Sequence, residues 1–202
     1  MDEPALIRDA KHGDLDAFNR LVLHYQDMLY NTAYRVLGDP ALAADATQEA
    51  FISAFRKLKS YRGGSFKAWL LRIVTNACYD ELRRKKRRPS TPLEPLTEND
   101  EEMEAPRWLA DPNASPEKQV ETFELEQAIQ NCIEALPPDF RAVVVLTDIQ
   151  GLDYKEAAAA LKKPLGTVKS RLARARLRLR DCLQAVRELL PVAFRLEEGS
   201  TL

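Results

Sequence analysis

The sequence has only two histidines, His12 and His24, and three cysteines. Neither histidine stands beside a clustered nucleophile, and the seven glycines form no phosphate-binding loop, so no catalytic constellation presents itself. Cys78, Cys132 and Cys182 are odd in number, far apart and without a CxxC pair. That leaves neither a disulfide framework nor a zinc site, and no metal or cofactor is expected. Each cysteine falls in a helical pattern and reads as a small core residue. No apolar run approaches the roughly 18 residues of a membrane span, and the acidic beginning is unlike a signal peptide. The chain therefore reads as cytoplasmic, with no membrane insertion. Strand-like alternation is scarce as well.

What is present is charge, unevenly placed. Apolar residues make up 45% and charged residues 30%, enough to bury a core. The formal net charge of -1 conceals a segregation. Residues 1–50 hold nine acids and four bases, and residues 51–90 hold twelve bases against Asp80 and Glu81. Residues 91–136 then hold twelve acids against Arg107 and Lys118, and residues 137–187 hold eleven bases against five acids. Two basic blocks separated by an acidic one describe two surfaces for polyanions joined by a linker that avoids them.

Nearly every periodic segment repeats at three and four residues. Asp14 can cap a helix whose apolar face is Phe18, Leu21, Val22, Tyr25, Leu29, Ala33 and Val36, and Gly38 ends it. Asp39-Pro40 opens a second helix reaching about Leu58. Ser65 opens a third, with Phe66, Trp69, Leu70, Ile73, Val74, Ala77 and Leu82 on one face, ending in the basic run 83–88. Five prolines, few large apolar groups and many acids mark residues 89–115 as a flexible linker. Ser115-Pro116 reopens helix with Val120, Phe123, Ile129 and Ile133 inward. Pro137-Pro138-Asp139 starts another helix running to Ile149, Gly151 ends it, and Asp153 caps a short helix to Leu161. After a tight turn the last helix begins near Thr167, and Pro191 stops it. The expected fold is all-α: two small helical domains, 1–88 and 116–190, with a tail at 191–202.

The C-terminal unit reads as a helix-turn-helix, whose second helix would enter a major groove. Val168, Leu172, Ala175, Leu179 and Val186 form its buried stripe. Thr167, Lys169, Ser170, Arg171 and Arg174 lie off that stripe near the helix start, where base edges are reached. In the N-terminal unit Tyr61, Phe66 and Trp69 alternate with Arg62, Lys67 and Arg72, a mixture suited to stacking unpaired bases while cations hold phosphates. Trp69, at helical spacing with Leu70 and Ile73, reads as core. Tyr61 and Phe66, bordering the glycine loop, read as better placed to meet a ligand.

Two motif sets carry a resemblance. Asp45-Ala-Thr-Gln48-Glu49-Ala-Phe51, followed by Phe66-x-x-Trp69-Leu70-x-Arg72-Ile73-x-x-Asn76-x-x-x-Asp80 and the arginine run, resembles the second conserved region of extracytoplasmic-function sigma factors. Leu136-Pro137-x-Asp139-x-Arg141, Gly151-Leu152-x-Tyr154-x-Glu156 and Gly166-Thr167-Val168-Lys169-Ser170-Arg171-Leu172-x-Arg174 resemble their fourth. The resemblance implies a factor that binds core RNA polymerase, recognises the -35 and -10 promoter elements and promotes strand opening, and is not itself an enzyme. It implies that Asp45, Gln48 and Glu49 dock on polymerase. Tyr61, Arg62, Ser65, Phe66 and Asn76, with Arg83 and Arg84, would hold the melted non-template strand of the -10 element. Thr167, Lys169, Ser170, Arg171 and Arg174 would read -35 duplex. It also implies an anti-sigma partner. Ala46 departs from the leucine common in the family, which bears on the docking contact. A stand-alone helix-turn-helix regulator is the alternative; it leaves the motif from Asp45 onward unused.

Overall fold

A computed structural model describes residues 1–87 and 116–189, with side chains from residue 122 onward in the second span. The expected linker, the tail and the side chain of Val120 lie outside the described residues, as do Arg88 and Pro191. Eight α-helices make up the described chain: α1 Glu3–Lys11, α2 Leu15–Leu37, α3 Pro40–Lys57, α4 Phe66–Arg87, α5 Pro116–Glu134, α6 Pro138–Val144, α7 Tyr154–Leu161 and α8 Leu165–Ala185. No strand occurs among the described residues.

Local capping sets most of the boundaries. Asp14 and Asp39 accept from Ala17 N at 3.0 Å and Leu42 N at 3.0 Å, and Ser65 Oγ accepts from Ala68 N at 3.0 Å. Asp153 and Glu156 form a reciprocal capping box on α7. Helix α1 was not anticipated. Asp2 caps it, Leu6, Ile7 and Ala10 bury its inner face, and the Tyr25 hydroxyl donates to Glu3, tying it to α2. Helix α8 starts two residues before Thr167, because Pro164 supplies the N-cap position after Lys162 turns the chain at φ +52°.

In the N-terminal unit α3 turns an alanine face inward, Ala43, Ala46, Ala50 and Ala54, all nearly fully buried. Small side chains let the backbone of α3 approach α2 and α4, whose Leu21, Leu29, Leu70, Leu71 and Val74 fill the space between. Burying a leucine of this kind contributes about 1.5–3 kcal/mol. In the C-terminal unit α6 continues into a π-helical turn, Val145–Ile149, and Val143, Val144 and Leu146 from this stretch are buried. Val168, Leu172 and Ala175 of α8 are buried as expected, while Leu179 and Val186 are half-buried. Phe123, expected inward on α5, is 57% exposed; the inward side of that helix carries Ala128, Cys132 and Ile133.

The two units share one hydrophobic cluster. The Arg141 guanidinium, on a residue only 9% exposed, donates to the carbonyls of Val36 at 2.6 Å, Leu136 at 3.1 Å and Glu134. Its Nε is buried without a partner. Arg35 donates to Gln130 at 3.0 Å across the same seam. Gly38, at φ +75°, lies so close to the Glu134 carboxylate that a Cβ there would come within 2.4 Å of it. Lys67 donates to the Gln150 carbonyl at 2.6 Å and Tyr79 to Asp139 at 3.2 Å.

The cysteines correct an expectation. Cys132 of α5 and Cys182 of α8 are joined as a disulfide, with Cα atoms 5.7 Å apart. Packing brings together two positions 50 residues apart that carry no local signal of pairing. Cys78 is free and buried, as a core residue should be.

Candidate nucleic-acid interface

Helix α3 presents Asp45, Gln48 and Glu49 to solvent on one face, at spacings of three and four residues. Gln48 also lines a groove of about 350 Å³ between α2 and α3, together with Val22, Gln26, Tyr30, Thr47 and Phe51. Ala46 points the other way and is 1% exposed. Its departure from the family pattern therefore alters core packing and not the docking face.

The loop before α4 reverses the expected roles of the aromatic residues. Phe66 is 2% exposed and Tyr61 8%, whereas Trp69 is only partly buried. Tyr61, Phe66 and Trp69 form one cluster with centroids 5.2–5.3 Å apart, and Tyr25 closes it at 5.8 Å from Phe66. Helical spacing gives the direction of Trp69, but the chain entering α4 folds back over Phe66 and seals it. The Tyr61 hydroxyl donates to the Gly64 carbonyl at 2.6 Å, and Lys11 donates to the Tyr61 carbonyl. These bonds hold a loop in which Gly63 and Gly64 sit at φ +97° and +92°, a conformation that only glycine adopts without strain. What the loop exposes is polar: Arg62 and Ser65. Arg72, Asn76, Asp80, Arg83 and Arg87 continue as an exposed face along α4. Arg83 pairs with Asp80 at 2.9 Å and Arg84 with Glu81 at 3.0 Å. The Arg83–Asp80 pair is exposed on both sides and therefore weak, leaving that guanidinium able to exchange partners, whereas the Glu81 side chain is only 13% exposed.

In the helix-turn-helix, Thr167, Ser170, Arg171 and Arg174 follow one another at three and four residues and share a face of α8. Lys169 lies on the opposite flank, its ammonium 5.9 Å from the centre of the Tyr154 ring. Arg171 is partly enclosed, its side chain 23% exposed and paired with Asp139 at 2.8 Å. Sequence reasoning missed Arg176. It makes two hydrogen bonds to Asp148, 3.0 and 2.7 Å, fixing α8 to the π-helical turn. Those bonds raise the guanidinium's already high pKa and turn the side chain toward Asp148. Only the pairing of an acid and an arginine 28 positions apart could have signalled it.

Among the described residues no three or more histidine, cysteine or acidic side chains are grouped to hold a metal ion. No described helix is long and apolar enough to cross a membrane. The arrangement offers two cationic surfaces, one on an exposed loop and helix, the other on a helix-turn-helix, and a separate acidic and amide face on α3.

Residues 21–88 match the family model for sigma-70 region 2, and residues 126–179 that for sigma-70 region 4. The chain is 41% identical over 169 residues to the ECF RNA polymerase sigma factor SigE of Mycolicibacterium smegmatis, covering 84% of this chain and 62% of that relative. It is 38% identical over 181 residues to the RNA polymerase sigma-H factor of Pseudomonas aeruginosa, covering 89% and 92%. It is 37% identical over 179 residues to the ECF sigma factor SigW of Bacillus subtilis, covering 88% and 95%. Among solved structures, CnrH in complex with the cytosolic domain of CnrY superposes with a TM-score of 0.63 at 26% identity, covering 90% of this chain and 96% of that one. The sigma factor RpoE of Bartonella quintana, in complex with the anti-sigma factor NepR, gives 0.62 at 25% identity, covering 82% and 96%.

Proposed function

The chain belongs to the extracytoplasmic-function sigma factors of bacterial RNA polymerase, and from that premise we propose how its surfaces divide the work of promoter recognition. Core polymerase docks on the α3 face of Asp45, Gln48 and Glu49, with the adjoining groove receiving an apolar side chain of the partner. The melted non-template strand of the -10 element runs over Arg62, Ser65 and Asn76 toward Arg83 and Arg84. Tyr61 and Phe66 support that loop from beneath and do not stack on bases. Helix α8 reads the -35 duplex through Thr167, Ser170, Arg171 and Arg174, while Lys169 contacts phosphate. The domain division follows the same line, with the N-terminal unit to residue 88 as region 2 and residues 116–190 as region 4.

The observation that carries this reading is the coexistence of two cationic surfaces with an exposed Asp45-Gln48-Glu49 face. A stand-alone helix-turn-helix regulator would need only one of the three. On this reading the chain acts in the cytoplasm with polymerase and makes or breaks no covalent bond itself. An anti-sigma factor would be its antagonist, since both aligned structures are complexes with such partners or with a cytosolic domain. Reconstituted transcription with core polymerase on a randomised promoter library tests the reading. Initiation dependent on the chain, with selection of two spaced sequence elements, is expected. Selection of a single duplex site bound without polymerase would favour the regulator.

A further inference from the structure

Helix α1 precedes the region 2 span, yet both of its ends reach the aromatic cluster beneath the loop assigned to the melted strand. At its start, Glu3 accepts from the Tyr25 hydroxyl, and the Tyr25 ring lies edge-on to Phe66 with centroids 5.8 Å apart. At its last residue, the half-buried Lys11 donates to the Tyr61 carbonyl and sets its ammonium 5.1 Å from the centre of the Tyr61 ring. Tyr61 is the residue at which the 3-10 turn Leu58–Ser60 ends and extended backbone begins. This one residue holds the entry of the loop and, through its hydroxyl bond to the Gly64 carbonyl at 2.6 Å, the far side as well.

The tip between these two points has little else to fix it. A Cβ built at Gly63 or Gly64 would meet no atom within 4 Å, so the tip does not pack on the body of the unit at either glycine. Glycine also has the most conformational freedom to lose on becoming ordered. A loop left to itself would become ordered only on strand binding, at a cost in affinity. Lys11 and Tyr61 supply that order in advance, and with it fix where the exposed Arg62 and Ser65 stand.

We propose that α1 is a strut for the strand-capture loop and that Lys11 is a positioning residue for -10 recognition, acting through Tyr61 and not by touching DNA. The proposal rests on the reading of Arg62 and Ser65 as strand contacts. A preformed loop presents one geometry and favours the sequence that matches it, whereas a loose loop holds every strand weakly and alike. Lys11 therefore contributes to sequence discrimination. A cation bound to phosphate would contribute equally to every strand.

Holoenzyme assembled from core polymerase and the full-length chain tests this with two single-stranded probes. One is the non-template -10 sequence selected from the promoter library, the other a scrambled version of it. Lys11→Met keeps the side-chain length and removes the donor. It should lower the ratio of the two affinities about tenfold, which is what one hydrogen bond from a charged donor is worth. Its melting temperature, its -35 duplex preference and the salt dependence of strand binding should stay near parental values. Lys11→Arg, which keeps a cationic donor, should restore most of the ratio. Tyr61→Phe, which removes the hydroxyl bond, should lower the ratio as well. The double variant should fall no further than the larger single effect, since both changes act on one loop. Arg8→Met removes an exposed charge from the same helix and should leave the ratio unchanged.

A parental ratio in Lys11→Met overturns the proposal; if the melting temperature falls with it, Lys11 supports the fold alone. Equal weakening on both probes, with the salt slope reduced by about 0.7, makes Lys11 a phosphate contact and overturns the proposal too. Arg62→Ala and Ser65→Ala separate these failures from that of the underlying reading. If those two variants lose affinity while Lys11→Met does not, only the strut is wrong. If both bind the two probes as the parent does, the loop is not the strand path, and the proposal falls with that reading.

Discussion

Cys132 and Cys182 join α5 to α8 across 50 residues of sequence, so the helix that meets the N-terminal unit through Gln130 and Glu134 is bonded to the helix that carries the duplex-reading face. A bridge closing a loop of that length stabilises the folded state by about 2–4 kcal/mol, chiefly by restricting the unfolded chain. Reduction, or Cys132→Ser, is expected to lower the denaturation midpoint of the C-terminal unit by a corresponding amount. Cys78 should stay silent: burial pushes its thiol pKa up to about 12, so little thiolate exists at neutral pH. Alkylation of the native, unreduced protein should therefore modify no cysteine. Three reactive thiols would disprove the pairing.

The burial of Phe66 separates stability from strand capture. Phe66→Ala is expected to cost about 3–5 kcal/mol through the cavity it leaves among Tyr25, Tyr61 and Trp69. Asn76→Ala, at an exposed position, should change stability by less than about 0.5 kcal/mol. It should nevertheless impair opening at the -10 element, seen as weaker permanganate reactivity of unpaired thymines. A promoter already melted by mismatches should recover part of that loss. If Asn76→Ala opened promoters normally, the exposed face of α4 would not be the strand path.

The elements most legible in sequence are those set by a few neighbouring residues. Asp14, Asp39, Ser65 and Asp153 each cap a helix where their local pattern places one, and Gly38 ends α2. What was not legible depends on distant partners. Gly38 is also required because Glu134 lies against it, which nothing near position 38 announces. Phe66 and Trp69 share a helical face, and only the path of the preceding loop decides which is sealed. Phe123 has apolar spacing yet remains exposed, because the inward side of α5 is set by Cys132 and Ile133. The packing of one unit on the other is likewise a long-range property, invisible to periodicity.

Arg141 belongs to a motif that reads as part of the helix-turn-helix, yet its guanidinium is structural. Arg141→Ala would leave the Val36, Glu134 and Leu136 carbonyls without their donor and open a cavity. A loss of at least about 3 kcal/mol is expected in chemical denaturation. Arg141→Lys should recover little of it, since one ammonium cannot span three carbonyls as the planar fork does. Retention of parental stability in either variant would refute this role.

Asp45 and Glu49 are exposed and one helical turn apart, so reversing both charges should not disturb the alanine face beneath. Asp45→Lys with Glu49→Lys is expected to leave the helical signal and melting temperature near parental values while weakening capture of core polymerase at least tenfold. Equal capture by the double variant would move the docking face elsewhere on the molecule.

The two flanks of α8 make the final prediction. Arg171 shares its face with Thr167, Ser170 and Arg174, all within one groove's reach, whereas Lys169 sits over Tyr154 on the other side. In the polymerase complex, Arg171→Ala should cost about 1–3 kcal/mol and relax preference at one or two upstream positions, as loss of a base contact does. Lys169→Ala should weaken binding across all sequences and reduce the slope of log affinity against log salt by about one, as loss of a phosphate contact does. Competition binding over a set of single-base promoter variants, repeated at several salt concentrations, reads both quantities together. If Lys169→Ala altered base preference while Arg171→Ala changed only the salt slope, the base-reading flank of α8 would be the one that carries Lys169.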